Sequence, residues 1–289
     1  MSEIKTISVK DKNYPKLLKE IKNPPEVLYY RGELNPDEKC FGVVGTRMFS
    51  SYGKQVALEI AGDLAEAGLT IVSGLAPGID TFAHTATVER RKRTIAVLGT
   101  GIDERSIYPQ SNLNLARKIL ETGGALISEY PPGTRGTQFT FPQRNRIISG
   151  LSLGVLVVEA KEKSGALITA EWAKKQQRLV FAIPGPIHSL NSKGCHYLIK
   201  HEVAKLVENA NDILKELNLP PTTRPGGVEG ETEEENLILN ALKEESLYID
   251  KIIEKTKLSA AVVASTLTIL EIKNKVRNLG GNIYGISHC

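Results

Sequence analysis

The residues with the most chemical reach sit in short glycine-rich turns and in one arginine-bearing stretch. Gly45-Thr46-Arg47 follows a β-branched run and precedes a helical pattern that starts near Ser51. A glycine frees the backbone, a helix N-terminus offers unpaired N–H groups, and Arg47 adds a fork-shaped cation, so the turn has the parts of a phosphate seat. Ser73-Gly74-Leu75-Ala76-Pro77-Gly78-Ile79-Asp80 is a second turn of this kind, with Asp80 also readable as the cap of the following helix. Gly99-Thr100-Gly101 is a third, but Glu104 stands where the dinucleotide fingerprint needs its last glycine. No Gly-x-x-x-x-Gly-Lys-Ser/Thr loop is present, which argues against an ATP motor of that type. Ser164-Gly165, at the start of a later helix, is a further anion seat.

Tyr130–Val158 contains no Asp or Glu and carries Arg135, Arg144 and Arg146. Its loop, with Pro131-Pro132-Gly133 and Phe139-Thr140-Phe141-Pro142, runs into the helical pattern 143–149 that holds Arg144, Asn145 and Arg146. Aromatic rings interleaved with arginines suit single-stranded nucleic acid, where bases stack on rings and phosphates pair with guanidinium groups. The other reading of Phe139 and Phe141 is that they plug the core beneath the loop. Arg90-Arg91-Lys92-Arg93, at a helix end, matches the helix dipole and reads as a solvated face.

Bond-breaking equipment is sparse. His84 has the chemistry of a base, yet no Gly-x-Ser-x-Gly elbow accompanies it and packing explains it as well. Glu129 and Glu159, at strand ends, read either as an acid pair or as single carboxylates satisfying backbone N–H groups. Cys195-His196 with His201 lacks a second cysteine pair or a His-x-x-x-His, so no metal site is expected, and no cofactor. Three widely spaced cysteines, Cys40, Cys195 and Cys289, fit a reducing compartment rather than a disulfide framework.

These residues need a scaffold that brings loop ends together. The 289 residues, 41% hydrophobic with a net charge of +4, describe an ordinary globular chain and exclude a disordered or fibrous one. So small a net charge means any polyanion site must arise from local placement. Neither a signal peptide nor a membrane-span pattern is recognisable, so a soluble, cytoplasmic protein without membrane contact is expected. From Cys40, β-branched runs (41–45, 69–73, 94–98, 125–128, 154–158 and 179–183) alternate with amphipathic stretches (52–67, 79–93 and 113–122). That is the βαβ signature of an α/β fold: a mostly parallel, Rossmann-like sheet with helices on both faces, whose strand carboxyl ends line a binding crevice. Residues 1–39 read as a short segment packed on this main domain, which spans 40–217.

Pro220, Pro221, Pro225, Gly226, Gly227 and Gly230 mark a linker over 218–232, with the acidic run Glu233–Glu235 following them. Residues 233–289 then give three helix candidates (237–242, 249–255 and 259–272), followed by a hairpin around Gly280-Gly281-Asn282, which together predict a small C-terminal winged helix domain. That domain carries seven Lys and Arg against eight Asp and Glu, and its recognition-helix candidate Ser259–Ile272 has no basic residue. A helix for the major groove brings Arg, Lys, Asn or Gln to base edges, so a protein-contact or regulatory module is the favoured reading over a duplex-binding one.

Taken in order, the motifs resemble the DNA-processing protein A (DprA/Smf) family. They are Gly45-Thr46-Arg47, Ser73–Asp80 with Ala83-His84, Ala96–Asp103 with Tyr108-Pro109, Ser128–Gly133, Phe141–Ile148, Gly150-Leu151-Ser152, Val157–Ala160, Ser164-Gly165 and Pro184-Gly185. The resemblance covers roughly residues 40 to 210. It implies a domain that binds single-stranded DNA, protects incoming strands, forms a homodimer and loads the recombinase RecA during natural transformation and homologous recombination, without being an enzyme. By the same resemblance Arg47, Phe141, Arg144 and Arg146 lie at the DNA pocket, with Gly45, Thr46, Ser73, Gly74, Gly78, Asn145, Ser164 and Gly165 around them. Gln138 stands where some relatives carry a lysine, and Leu198–Ala204 departs from the family's pattern in a region that bears on the dimer surface. The alternative is an enzyme acting on a nucleotide or phosphorylated small molecule in the same crevice, with His84 or Glu159 as base.

Overall fold

A computed structural model of the chain describes residues 3–222, 230–243, 245–273 and 275–286. The chain divides into two compact units, 1–222 and 223–289. The linker residues Pro225, Gly226 and Gly227, with Glu244 and Cys289, lie outside the described residues.

The large unit is built on one sheet. Its strands are β1 (Lys5–Ser8), β2 (Val27–Gly32), β3 (Cys40–Val44), β4 (Thr70–Ser73), β5 (Thr94–Val97), β6 (Ala125–Ser128), β7 (Ser152–Val157), β8 (Leu179–Ala182) and β9 (Lys205–Leu206). They lie in the order β1-β2-β6-β5-β4-β3-β7-β8-β9. From β6 to β9 all neighbours are parallel. The chain leaves β3 in one direction through β4, β5 and β6, then returns to pair β7 on the other side, so the order reverses between β3 and β7. In such sheets the crevice opens beyond the carboxyl ends at this reversal.

Residues 1–39 are more than a packed arm. β1 pairs antiparallel with β2, and β2 pairs antiparallel with β6, Tyr29 opposite Ser128 and Arg31 opposite Leu126, so this segment supplies two strands of the sheet. The short helix α1 (Lys16–Lys19) buries Leu18 beneath it.

Helices α2 (Ser51–Glu66), α3 (Ile79–Glu89), α4 (Leu113–Glu121), α5 (Thr140–Leu151), α6 (Gly165–Lys175), α7 (Lys193–Lys200) and α8 (Ala210–Glu216) cover both faces. Because strand side chains alternate, Phe41 and Val43 meet Ile60 and Leu64 of α2 on one face, while Cys40 and Val44 share the other with Ile147 of α5 and Ala170 of α6. Every residue of β3 is buried, which explains an uninterrupted apolar run rather than alternation. Cys40 and Cys195 are buried free thiols. Among the described residues no helix is long and apolar enough to cross a membrane, and no three His, Cys, Asp or Glu side chains converge.

The small unit contains α9 (Glu233–Ala241), β10 (Leu247–Tyr248), α10 (Ile249–Thr256), α11 (Ala260–Ile272), β11 (Val276–Gly280) and β12 (Ile283–Ile286), with the sheet in the order β10-β12-β11. Three helices and this sheet close over Ile238, Leu242, Ile252, Val263, Leu267 and Val276. Ser259 caps α11, accepting from the Val262 amide. The acidic run Glu233–Glu235 is the first turn of α9, capped by Thr232, where carboxylates suit the positive end of the helix. Glu235 is buried and takes Lys273 Nζ at 2.7 Å, so this carboxylate is a tie within the winged helix and no part of a linker.

Candidate nucleic-acid interface

A cleft of about 430 Å³ opens beyond the carboxyl ends of β3 and β7. Gly45, Thr46 and Arg47 form one wall, Gln138, Phe141 and Asn145 the second, and Ser164 and Gly165 the third. The turn after β3 is held from two sides. The Thr46 amide donates to the Glu159 carbonyl at 2.7 Å, and the Ile79 amide donates to the Thr46 carbonyl at 3.2 Å. A Cβ on Gly45 would meet the Ile79 side chain at 2.6 Å, and one on Gly78 would meet the Thr46 carbonyl oxygen at 2.3 Å, so both glycines are demanded by this interlock.

Arg47 is exposed, and its guanidinium carbon lies 5.6 Å from the centroid of the Phe141 ring. No carboxylate among the described residues pairs with it. The ring itself is seated on backbone: a Cβ on Gly99 would touch Phe141 Cδ1 at 2.8 Å, and one on Gly136 would touch Cζ at 2.4 Å. Phe141 therefore neither plugs the core nor swings free; it forms a half-buried platform with a cation beside it.

The third wall is the N-terminus of α6. Ser164 caps it by accepting from the Ala166 amide at 3.3 Å, and Asn145 Nδ2 donates to the Gly165 carbonyl at 3.1 Å. A Cβ on Gly165 would meet nothing within 4 Å. Lys161 and Lys163, which motif reading passed over, also line the cleft, as does Met48. The two lysines flank Glu162 just before the Ser164 cap, a Lys-Glu-Lys run that the sequence alone does not separate from a solvated surface.

The two arginines of α5 take other places. Arg144 is 4% exposed and forms floor rather than rim. Its Nη1 donates to the Val97 carbonyl at 2.6 Å, and the guanidinium crosses under Gly74, where a Cβ would fall 1.8 Å from Nη1. Burial lowers its pKa to about 10, opposed by the charge of Asp80. Asp80 is buried in turn: its carboxylate accepts from the Gly74 amide at 3.0 Å, and burial raises its pKa against the pull of Arg144.

Arg146 does not line the cleft. It makes a two-pronged pair with Glu129 at 2.9 and 2.7 Å, both side chains largely buried. Its charge is spent inside the fold, because Glu129 sits one residue outside the acid-free stretch and returns at the end of β6. Ser73, Gly74 and Gly78 also lie behind the wall rather than in it, Ser73 donating its hydroxyl to the Val43 carbonyl at 2.6 Å.

Glu129 and Glu159 are separately committed and form no acid pair. The Glu159 carboxylate, 3% exposed, accepts from the Ser50 amide at 3.0 Å and the Ser50 hydroxyl at 2.6 Å, so it holds the start of α2. His84 is fully buried. Thr94 gives its own hydroxyl proton to the Ile71 carbonyl, so His84 Nδ1 carries the hydrogen in its 2.8 Å contact with Thr94 Oγ1. Burial together with the Arg144 charge lowers its pKa to about 3, against the opposing pull of the Ser73 backbone. Neither candidate base of the enzyme reading lines the cleft.

A mostly parallel sheet with a cation-rimmed, aromatic cleft at its reversal point, joined to a winged helix, defines a Rossmann-like protein of two units. A family model described as DNA recombination-mediator protein A matches residues 5–218, and one described as the DprA winged helix domain matches 220–282. The chain belongs to the DNA-processing protein A (DprA/Smf) family. It is 45% identical to DNA processing protein DprA of Bacillus subtilis, over 74% of this chain and 71% of the relative. It is 38% identical to protein Smf of Synechocystis, over 95% and 78%. The X-ray structure of DprA from Streptococcus pneumoniae aligns with a TM-score of 0.67 at 44% identity, covering 74% of each chain. A structure of DNA processing protein A from Helicobacter pylori, described for its single-stranded DNA binding mode, aligns at 0.65 with 28% identity, over 75% of this chain and 98% of that one.

Proposed function

We propose that the cleft binds single-stranded DNA, and that the protein, as a cytoplasmic homodimer, protects incoming strands and loads RecA onto them in natural transformation and homologous recombination. The observation that carries this is the exposed Arg47 guanidinium beside the glycine-seated Phe141 ring, facing the helix N-terminus with Lys161 and Lys163. A base stacks on the ring while its flanking phosphates meet Arg47 and the α6 amides. The description of the H. pylori relative supports the same ligand. The task is binding, and no step needs a general base. The winged helix serves as a protein-contact module.

Titration of fluorescent oligo-thymidine against duplex of the same length tests this reading. With Arg47, Lys161 and Lys163 neutralising phosphates, log affinity falls against log salt with a slope of about −2. Arg47→Ala weakens single-strand binding on the order of 10-fold and makes that slope shallower by about 0.7. Unchanged affinity and slope in Arg47→Ala remove the cleft from the DNA path.

A further inference from the structure

We propose that Tyr108 is a second nucleobase-stacking residue, which carries the strand out of the cleft and onto the loop between β5 and α4. The proposal rests on the single-strand reading and extends the ligand's path beyond Phe141. The Tyr108 ring is 52% exposed, and its centroid lies 5.6 Å from that of Phe141 with the planes at 45°. That spacing lies within the reach of adjacent bases on an unstacked strand. Because Phe141 is lodged against Gly99 and Gly136, the two rings form a fixed pair rather than two mobile side chains.

The loop that presents Tyr108 is rigid. Ile102 and Ile107 anchor it in the core. Gln110 Nε2 donates to the carbonyls of Glu104 and Ile107 at 2.9 and 3.0 Å. The Asp103 carboxylate takes the Ser106 hydroxyl at 2.9 Å and, from the neighbouring loop, the Gly133 amide at 2.7 Å. A large ring left exposed on a stiff loop has not been placed there by disorder, and its outward face is open to a ligand with a π surface.

Charge points the same way. Arg105, three residues before Tyr108, and Arg135, beside the Thr134 whose carbonyl takes the Gly101 amide, are exposed. No carboxylate among the described residues pairs with either, while the nearby Glu104 is taken by Arg117 at 3.0 Å. An exposed ring with unpaired arginines on its own and the adjoining loop fits a stacked base whose phosphates run past guanidinium groups.

The test uses the full chain with short and long oligo-thymidine strands, about 4 and about 16 nucleotides. Tyr108→Ala is expected to weaken the long strand on the order of 10-fold more than the short one, and Tyr108→Phe to restore the affinity. Because Tyr108 touches Phe141, a direct readout is added: in a Trp172→Phe background, the emission of Tyr108→Trp is quenched by the long strand and far less by the short. Equal losses for the two lengths, no loss for the long strand, failure of Tyr108→Phe to rescue, or an unquenched long-strand complex each overturn the proposal. If Arg47→Ala weakens both lengths while Tyr108→Ala weakens neither, only Tyr108 falls; if the unmodified chain binds neither strand, the single-strand reading falls with it.

Discussion

Glu159→Gln is expected to destabilise the large unit by about 2 kcal/mol while changing hardly any volume. The carboxylate accepts from the Ser50 amide at 3.0 Å and from the Ser50 hydroxyl at 2.6 Å. The same hydroxyl oxygen accepts from the Gly53 amide at 3.1 Å as the α2 cap, so the carboxylate, the hydroxyl and the helix start are tied together. A glutamine has one acceptor oxygen, so whichever way the amide turns, one donor loses its acceptor and the other loses a charged one. Hydrogen bonds to charged groups contribute about 1.5–3 kcal/mol each, and part of one survives, which gives the figure above. Retreat is blocked, since a Cβ on Gly53 would fall 2.1 Å from Glu159 Oε2: helix and carboxylate are already in contact. Trp172, the one tryptophan of the chain, lies in α6, so its fluorescence during urea unfolding follows the large unit separately from the winged helix. The expected result is a lower midpoint at unchanged slope. A midpoint corresponding to less than about 0.5 kcal/mol would falsify the capping role. Nucleotide turnover lost on this substitution would make Glu159 a base instead.

Two further outcomes follow from the same geometry. Stability is expected to fall with acid because His84 stays neutral in the fold: its pKa drops to about 3 from 6.5, so the unfolded chain takes up a proton that the native state refuses. The contribution is complete above pH 6.5 and is lost as pH falls from there towards 3, amounting to about 2 kcal/mol at pH 5. Urea midpoints across this range check it, and a profile identical in His84→Asn refutes the assignment. Gly136→Ala has no backbone penalty, but its Cβ would press on Phe141 Cζ at 2.4 Å while Gly99 and Tyr108 confine the ring. Oligo-thymidine affinity is expected to drop on the order of 10-fold with little change in urea stability; full affinity would show that the ring's seat is irrelevant to binding.

Six of the seven parallel strands were legible as β-branched runs between amphipathic stretches, as at Cys40–Val44 and Thr94–Val97, whereas β9, the exposed pair Lys205–Leu206, carries no such run. Both faces of β3, β4, β5 and β6 are buried, so their composition is nearly diagnostic. The strands Lys5–Ser8 and Val27–Gly32 were less legible, because they mix charge with apolar residues and owe their pairing to β6, remote in sequence. The site divides in the same manner. The turn at Arg47 declares itself through local spacing, whereas the fates of Arg144 and Arg146 depend on Asp80 and Glu129, partners that no local window reveals. Charge is written in the sequence; whether a charge is already neutralised is a property of the fold. Lys161 and Lys163 stood in plain view before the Ser164 cap, and the residue types alone did not separate them from a solvated surface.

The pairing of β2 with β6 also orders events during synthesis. Val27–Gly32 must wait for Ala125–Ser128, about 100 residues later, which at ribosomal speed is roughly 5–20 s. Through that interval the emerging chain has only β1 to shield one side of β2, and the other side remains an open template for a wrong partner. The first strands made thus stay half-paired until β6 arrives, and a chain lacking 1–39 would bare the flank of β6.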